Sequence, residues 1–118
     1  MRTLLPAASL LLAVFAGTAA HAHAFLDHAS PLVGGTVAAA PHEVTLWFTQ
    51  SIEPAFSRVE VTDANGARVD QGKAQVSGST MRVGIKPVGA GTYRVHWHVL
   101  SVDTHTTQGS FTFHVGGR

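Results

Sequence analysis

The stretch that decides the fold is Tyr93-Arg94-Val95-His96-Trp97-His98-Val99, in which apolar and polar side chains alternate strictly. Successive side chains of a β-strand project to opposite faces. The apolar residues at odd-numbered positions therefore predict one buried face. Arg94, His96 and His98 predict the opposite, solvent-facing side of the same strand.

The same period of two recurs along the rest of the chain at a spacing of roughly ten residues. Further strands are predicted at Val44–Phe48, Val59–Val61, Met81–Ile85 and Gly109–Val115, and Asp63-Ala64-Asn65-Gly66 is a hairpin-turn signal. Beyond the N-terminal segment, no helical periodicity extends past two turns. These patterns predict an all-β fold, either a β-sandwich or a small barrel.

The first 22 residues have the layout of a secretory signal peptide. Arg2 precedes an apolar run from Leu4 to Ala16, and small residues follow the run. The run is shorter than the approximately 20 residues of a membrane-spanning helix, so we expect no membrane insertion after cleavage. Cleavage after Ala20, Ala22 or Ala24 satisfies the small-x-small rule, and the rule does not choose among the three.

Composition excludes several functional classes. The chain has 118 residues, of which 45% are hydrophobic and 13% charged, which indicates one ordered domain. Its net charge of +1 and the absence of a basic run argue against nucleic-acid binding. With no cysteine, disulfides and thiolate metal sites are excluded. There is no G-x-S-x-G or H-E-x-x-H motif to support a hydrolase, so the eight histidines are the main chemical lead.

One candidate metal site combines the two ends of the mature chain. Asp103-Thr104-His105 can direct a carboxylate and an imidazole to one point, because residues i and i+2 of an extended segment share a side. Taken alone, this motif is more typical of a hydrogen-bonded loop pair than of a metal site. If cleavage leaves His23 first, its α-amine and ring Nδ1 can chelate one ion. A second histidine then completes a three-nitrogen set suited to Cu(II).

Several motifs resemble those of the CopC family of periplasmic copper-resistance proteins. The stretch His23-Ala24-Phe25-Leu26-Asp27-His28-Ala29-Ser30-Pro31 resembles the opening of the mature proteins. Residues 91–105 are similar to the family's G-T-Y-x-V-x-W-x-x-x-S-x-D-x-H stretch, residues 109–113 match its continuation, and residues 44–50 resemble its early strand. The resemblance covers essentially all of residues 23–118.

The resemblance carries specific expectations. It implies an Ig-like Greek-key β-sandwich of about seven strands that holds one Cu(II) per mature chain. His23 would supply the amine and a ring nitrogen, His105 the third nitrogen, and Asp103 a carboxylate. The family also favours cleavage after Ala22, which divides the chain into a signal peptide, 1–22, and a CopC-like domain, 23–118. We further expect a periplasmic monomer without enzymatic activity. It would buffer, store or transfer copper, and a CopD-type inner-membrane copper transporter is a candidate partner.

Two departures from the family pattern shape the predicted site. Gln50 stands where some members carry a glutamate near Cu(II), so it is at most a hydrogen-bonding neighbour of the metal's ligands. His28 is expected near the copper but not as a ligand. Met81 is the sole methionine after the signal peptide. A single thioether cannot build a Cu(I) cage, so Met81 is predicted to be core and no separate Cu(I) site is expected. His96 and His98 are expected to be surface residues.

The sequence is also compatible with two other functions. Copper-dependent polysaccharide monooxygenases use the same amine-and-two-histidine arrangement. Against that alternative, Trp47, Trp97 and Tyr93 lie on segments that look like core and leave no flat aromatic binding face. The second alternative is a structural Ig-like module in which the Asp103–His105 motif is incidental.

Overall fold

Eight strands form two four-stranded sheets in the computed structural model, which describes residues 23–116. The strands are β1 Leu26–Ser30, β2 Thr36–Val37, β3 Glu43–Phe48, β4 Arg58–Thr62, β5 Asp70–Ser77, β6 Thr80–Ile85, β7 Gly91–Leu100 and β8 Thr106–Val115. The first sheet has the order β1-β3-β6-β5, and the second has the order β2-β8-β7-β4. The expected signal peptide and the sites after Ala20 and Ala22 lie outside the described residues.

The two sheets confirm the predicted all-β Greek-key sandwich. Neighbours such as β3 with β6 and β4 with β7 are not consecutive in sequence, so the chain crosses repeatedly between the layers. The sequence also allowed a small barrel. Residues 23–116 do not form one, because their strands belong to two separate sheets. The prediction of about seven strands is one short of the eight observed. Strand β2 has two residues, too few to give a pattern in the sequence.

The alternating stretch on β7 forms the centre of the core as predicted. Its four apolar side chains are buried, with Val95 and Val99 fully inaccessible. The Tyr93 hydroxyl donates to the Gly89 carbonyl at 2.7 Å, a tyrosine-corner contact that fixes the start of the strand. Trp97 packs edge-on against Phe48 of the other sheet, with ring centroids 5.2 Å apart.

Gly109 of β8 provides the space that the Trp97 ring needs. A Cβ atom at residue 109 would lie 2.6 Å from Cζ2 of the indole. Only glycine lets the backbone approach the ring this closely. The glycine in the middle of this strand is therefore required by packing.

The turn at Asp63 forms, but it does not join two strands of one sheet as a hairpin signal implies. Asp63 Oδ1 accepts hydrogen bonds from the N–H groups of Asn65 and Ala67, each at 2.9 Å. The strands on either side pair with β7 and β6, in different sheets. A single bridge between Thr62 and Arg68 closes the turn before the chain changes layer.

Two further features differ from the sequence predictions. Strand β5 gave no period of two because it is a bulged, largely exposed edge strand. Trp47, expected in the core, lies half-buried and stacks on His28 with ring centroids 4.4 Å apart. Within residues 23–116, helical structure is limited to a 3-10 turn at Pro54–Phe56, so that range offers no candidate for a membrane-spanning helix.

Candidate metal centre

The β7–β8 turn carries two of the three predicted ligands at one end of the sandwich. Leu100 and Thr106 form the last pair of the hairpin. Inside it, the Ser101 N–H donates to the His105 carbonyl at 2.9 Å, and the Thr104 N–H donates to the Ser101 carbonyl at 2.8 Å. Thr104 adopts a φ of 74°, the left-handed conformation that reverses the chain in so short a loop. The turn is thus closed by backbone bonds, with Asp103 and His105 half exposed.

Ser101 links the Asp103 side chain to the backbone of His105. Its side chain is fully buried, and its hydroxyl donates to Asp103 Oδ1 while accepting the His105 N–H at 3.2 Å. The hydrogen bond from Ser101, aided by the His105 imidazole, holds the pKa of Asp103 below its usual value despite partial desolvation. Asp103 Oδ1 lies 3.6 Å from His105 Nδ1. The carboxylate is therefore ionised and fixed beside the imidazole.

The N-terminal segment is held at this end of the sandwich by both sheets. Ala24 is fully buried, and its carbonyl accepts a 2.7 Å hydrogen bond from the Thr107 hydroxyl on β8. The Phe25 N–H donates to Thr49 Oγ1 at 2.9 Å, and the Phe25 carbonyl accepts the Thr49 N–H at 2.8 Å. We call this arrangement, formed by Thr49 and Thr107, the threonine clamp. It places His23 at the edge of the β7–β8 turn.

His23 and His105 meet although most of the chain separates them in sequence. Their rings are 4.7 Å apart between centroids and 21° from parallel, which is a stacked arrangement. Phe25 also stacks on His23, at 5.7 Å. His105 therefore contacts the ring of His23 and lies 3.6 Å from Asp103, so it connects the other two predicted ligands.

The stacked rings are adjacent without yet forming a coordination geometry. A ring nitrogen binds metal in the plane of its ring, so two nearly parallel rings do not direct both lone pairs at one ion. Consistent with this, no three His, Asp or Glu side chains in residues 23–116 converge as a metal cage. The rings need only rotate about their side-chain bonds, and the His105 side chain is 49% exposed. The remaining donor, the α-amine, exists only when His23 is the first residue.

The other predicted neighbours of the site have separate contacts. His28 Nδ1 lies 2.7 Å from Asp27 Oδ2, and its ring stacks on Trp47. His96 Nδ1 lies 2.9 Å from the Ser110 hydroxyl, on the outer face of the second sheet. Gln50 is half-buried and directly follows Thr49 of the clamp. Met81 is fully buried, as its position in the alternating pattern predicted.

Sequence reasoning missed the residues that position the ligands. The hydroxyl groups of Thr49 and Thr107 bond to the N-terminal segment, which is distant in sequence, and the Ser101 hydroxyl bonds across the β7–β8 turn. Hydrophobic periodicity gives no indication of such contacts. Ser101 and Thr49 did fall inside the stretches that resemble the family. Thr107 lay in neither a motif nor a predicted strand.

Comparison with known proteins supports the relationship that the motifs suggested. The family model described as "CopC domain" matches residues 26–116. Protein YobA of Escherichia coli K12 is 37% identical over 98 residues, covering 80% of this chain and 79% of that protein. Copper resistance protein C of Xanthomonas campestris pv. juglandis is 33% identical over 115 residues, covering 90% of each chain.

A solved structure shows the same architecture. The crystal structure of CopC from Methylosinus trichosporium OB3b aligns with a TM-score of 0.74 and 33% identity, over 79% of this chain and 93% of that one. The family match, the relatives and the shared sandwich agree with one another. The chain belongs to the CopC family, and its function is related to copper.

Proposed function

We propose that this protein is a periplasmic Cu(II)-binding protein that buffers, stores or transfers copper. One Cu(II) would bind per mature chain through the α-amine and ring of His23, the ring of His105 and the carboxylate of Asp103. The observation that carries the proposal is the 4.7 Å approach of the His23 and His105 rings. These are the two histidines that the family resemblance paired.

The chemistry of these donors suits Cu(II). Three nitrogen donors and a nearby carboxylate match the tetragonal nitrogen and oxygen environment that Cu(II) prefers. Asp103 Oδ1 lies 3.6 Å from His105 Nδ1, so the carboxylate and this imidazole are close enough to act on the same ion. The ionised carboxylate also offsets part of the copper charge. Copper must displace protons from the amine and the imidazoles, so affinity is expected to fall as the pH decreases.

Signal-peptide cleavage after Ala22 is part of this proposal, because the α-amine of His23 is an amide until that bond is cut. Processing would therefore create the complete ligand set only after export. Met81, the sole methionine of residues 23–116, is fully buried, which supports one Cu(II) site without a separate Cu(I) site. By family resemblance, the expected partner is a CopD-type inner-membrane transporter, and the protein is expected to act as a monomer.

We infer binding without catalysis as the function of this site. The relative from Xanthomonas is named as a copper-resistance protein. Among residues 23–116, half-buried Trp47 stacks on His28 and makes no ring contact with another aromatic side chain that would extend it into a flat surface. Copper-dependent oxidation of a glycan in the presence of peroxide would instead favour the monooxygenase alternative. Absence of tight Cu(II) binding by the processed chain would favour a structural module.

The test compares two forms of the mature protein by Cu(II) titration and electron paramagnetic resonance. One form begins with a free His23 amine, and the other carries an Nα-acetyl group on His23. Intact mass of the exported protein first establishes where cleavage occurs. We expect one tightly bound Cu(II) in the free form, and in the acetylated form at least tenfold weaker binding with a changed spectrum.

The outcomes separate the elements of the proposal. Equal affinity and identical spectra in the two forms would remove the amine from the ligand set. Exported protein that begins at Phe25 would eliminate the site altogether. A His96→Ala variant serves as the control, because His96 lies on the outer face of the second sheet and its loss should leave both affinity and spectrum unchanged.

A further inference from the structure

A cleft lies on the outer face of the second sheet, directly beside the β7–β8 turn. Its volume is about 380 Å³, and it is open to solvent between the 3-10 turn Pro54–Phe56 and the adjoining ends of β4, β7 and β8. Leu100 and Thr106 line it, and these two residues close the hairpin that carries Asp103 and His105. Any molecule in the cleft would therefore sit next to the candidate metal centre.

Backbone and side-chain hydrogen bonds preorganise the cleft. The Glu53 N–H donates to the Leu100 carbonyl at 2.8 Å, and the Leu100 N–H donates to the Ser57 hydroxyl at 3.1 Å. Both ends of the 3-10 turn are thus tied to β7. A fixed cleft loses less conformational freedom on binding than a mobile one, which favours affinity.

One wall of the cleft is apolar and unprotected. Phe56 is 65% exposed, and none of the residues of the 3-10 turn is buried. Ala55 and Leu100 line the cleft together with Phe56, and apolar surface around a concavity is characteristic of interaction sites.

The opposite wall presents two hydrogen-bond donors. Arg58 of β4 is exposed and pairs in register with His98 of β7. Among residues 23–116, no carboxylate lies within 4.0 Å of the Arg58 guanidinium. His98 Nδ1 is buried without a partner. An orphaned buried N–H is rarer than an orphaned acceptor, so the ring proton belongs on Nε2, where the imidazole can donate into the cleft.

We propose that the cleft binds an acidic segment of a partner protein that carries a bulky apolar side chain. A carboxylate would accept hydrogen bonds from Arg58 and from His98 Nε2, while the apolar side chain would cover Phe56 and Leu100. Charge complementarity argues for an acidic occupant, since the cleft contains an unpaired cation. The partner's role in receiving or delivering copper rests on the function proposed above; the docking itself does not.

The docking is tested on the metal-free chain beginning at His23. A blocked tetrapeptide of two glutamates and two leucines is titrated while backbone amide signals are followed by nuclear magnetic resonance. A second peptide carries glutamine in place of glutamate. We expect saturable shifts at residues 56–58 and 98–100, and at least tenfold weaker binding of the glutamine peptide.

Two charge-reversal variants provide the matched comparison. Arg58→Glu should weaken binding at least tenfold. Arg94→Glu makes the same change on β7, about 13 Å along the strand from His98, which is the register partner of Arg58. This variant should leave binding unchanged. Both arginines are exposed, so both variants should keep the amide spectrum of the folded protein.

Several results would overturn the proposal. These are an absence of shifts at the cleft, equal binding of the two peptides, and equal effects of the two variants. Acetate binding as tightly as the acidic peptide would reduce the cleft to a simple anion site. Because no copper is present, failure here is distinguishable from failure of the proposed Cu(II) site, which is measured in a separate titration.

Discussion

Replacing Thr107 by valine tests whether the threonine clamp prepares His23 for copper. Valine keeps the branched shape but loses the hydroxyl that donates to the Ala24 carbonyl at 2.7 Å. Ala24 is fully buried, so its carbonyl loses a partner at a cost of about 1–3 kcal/mol. In the metal-free protein, the segment can avoid most of that cost by detaching and exposing the carbonyl to water.

Copper binding then requires that the detached segment return to the sandwich. Only the protein with the segment attached can bind copper. If the population of that state falls tenfold, the apparent dissociation constant rises tenfold. A change of about 1–3 kcal/mol corresponds to roughly 5–150-fold. We expect an effect of about tenfold, near the low end, because Thr49 still holds Phe25 through two hydrogen bonds.

Affinity is measured by competition with a chromophoric Cu(II) chelator, using chains that begin at His23. Thr112→Val is the matched control, since Thr112 lies exposed on the same strand and away from the N-terminal segment. Thermal unfolding verifies that the sandwich is intact in both variants. An affinity of Thr107→Val within twofold of the unaltered protein would refute the idea that the clamp preorganises the site.

Three further changes have expected outcomes. His105→Ala should weaken Cu(II) binding more than 100-fold, because losing a ligand costs more than the roughly 10–100-fold loss caused by changing a residue that hydrogen-bonds to a ligand. His96→Ala should change the affinity less than threefold in the same competition assay. Gly109→Ala should destabilise the fold by about 1–3 kcal/mol in urea unfolding, because the new Cβ would lie 2.6 Å from an indole carbon; an unchanged midpoint would show that the ring can move aside. Burial raises the pKa of Asp70, but its hydrogen bonds and ion pair with Arg68 outweigh this effect and hold the pKa below its usual value. The stabilisation from Asp70 is therefore present above the unfolded-state pKa and lost as the pH falls through the folded-state value. The stability difference between Arg68→Gln and the unaltered protein should shrink from pH 7 to pH 3, and a constant difference would contradict this reasoning.

The strands were predictable where one side faces the core and the other faces water. Strand β7 satisfies that condition: its apolar face is buried as predicted, while His96 and His98 on the other face are half-buried instead of fully exposed. Strand β5 satisfies it only weakly, because it is a bulged edge strand on which the inward side chains are at most half-buried. The turn at Asp63 was found from its residues, yet a local turn signal cannot specify that the flanking strands enter different sheets.

The sequence by itself determined the sandwich class, the family relationship and the three candidate ligands His23, Asp103 and His105. These depend on local periodicity, or on short motifs whose spacing is visible in one dimension. Tertiary structure alone decided that His23 stacks on His105, because contacts from both sheets hold the N-terminal segment beside a turn near the other end of the chain. It alone also created the cleft between the 3-10 turn and β7. Both features are juxtapositions across long sequence separations, which close only when the two sheets pack together, and the linear sequence carries no direct signal of them.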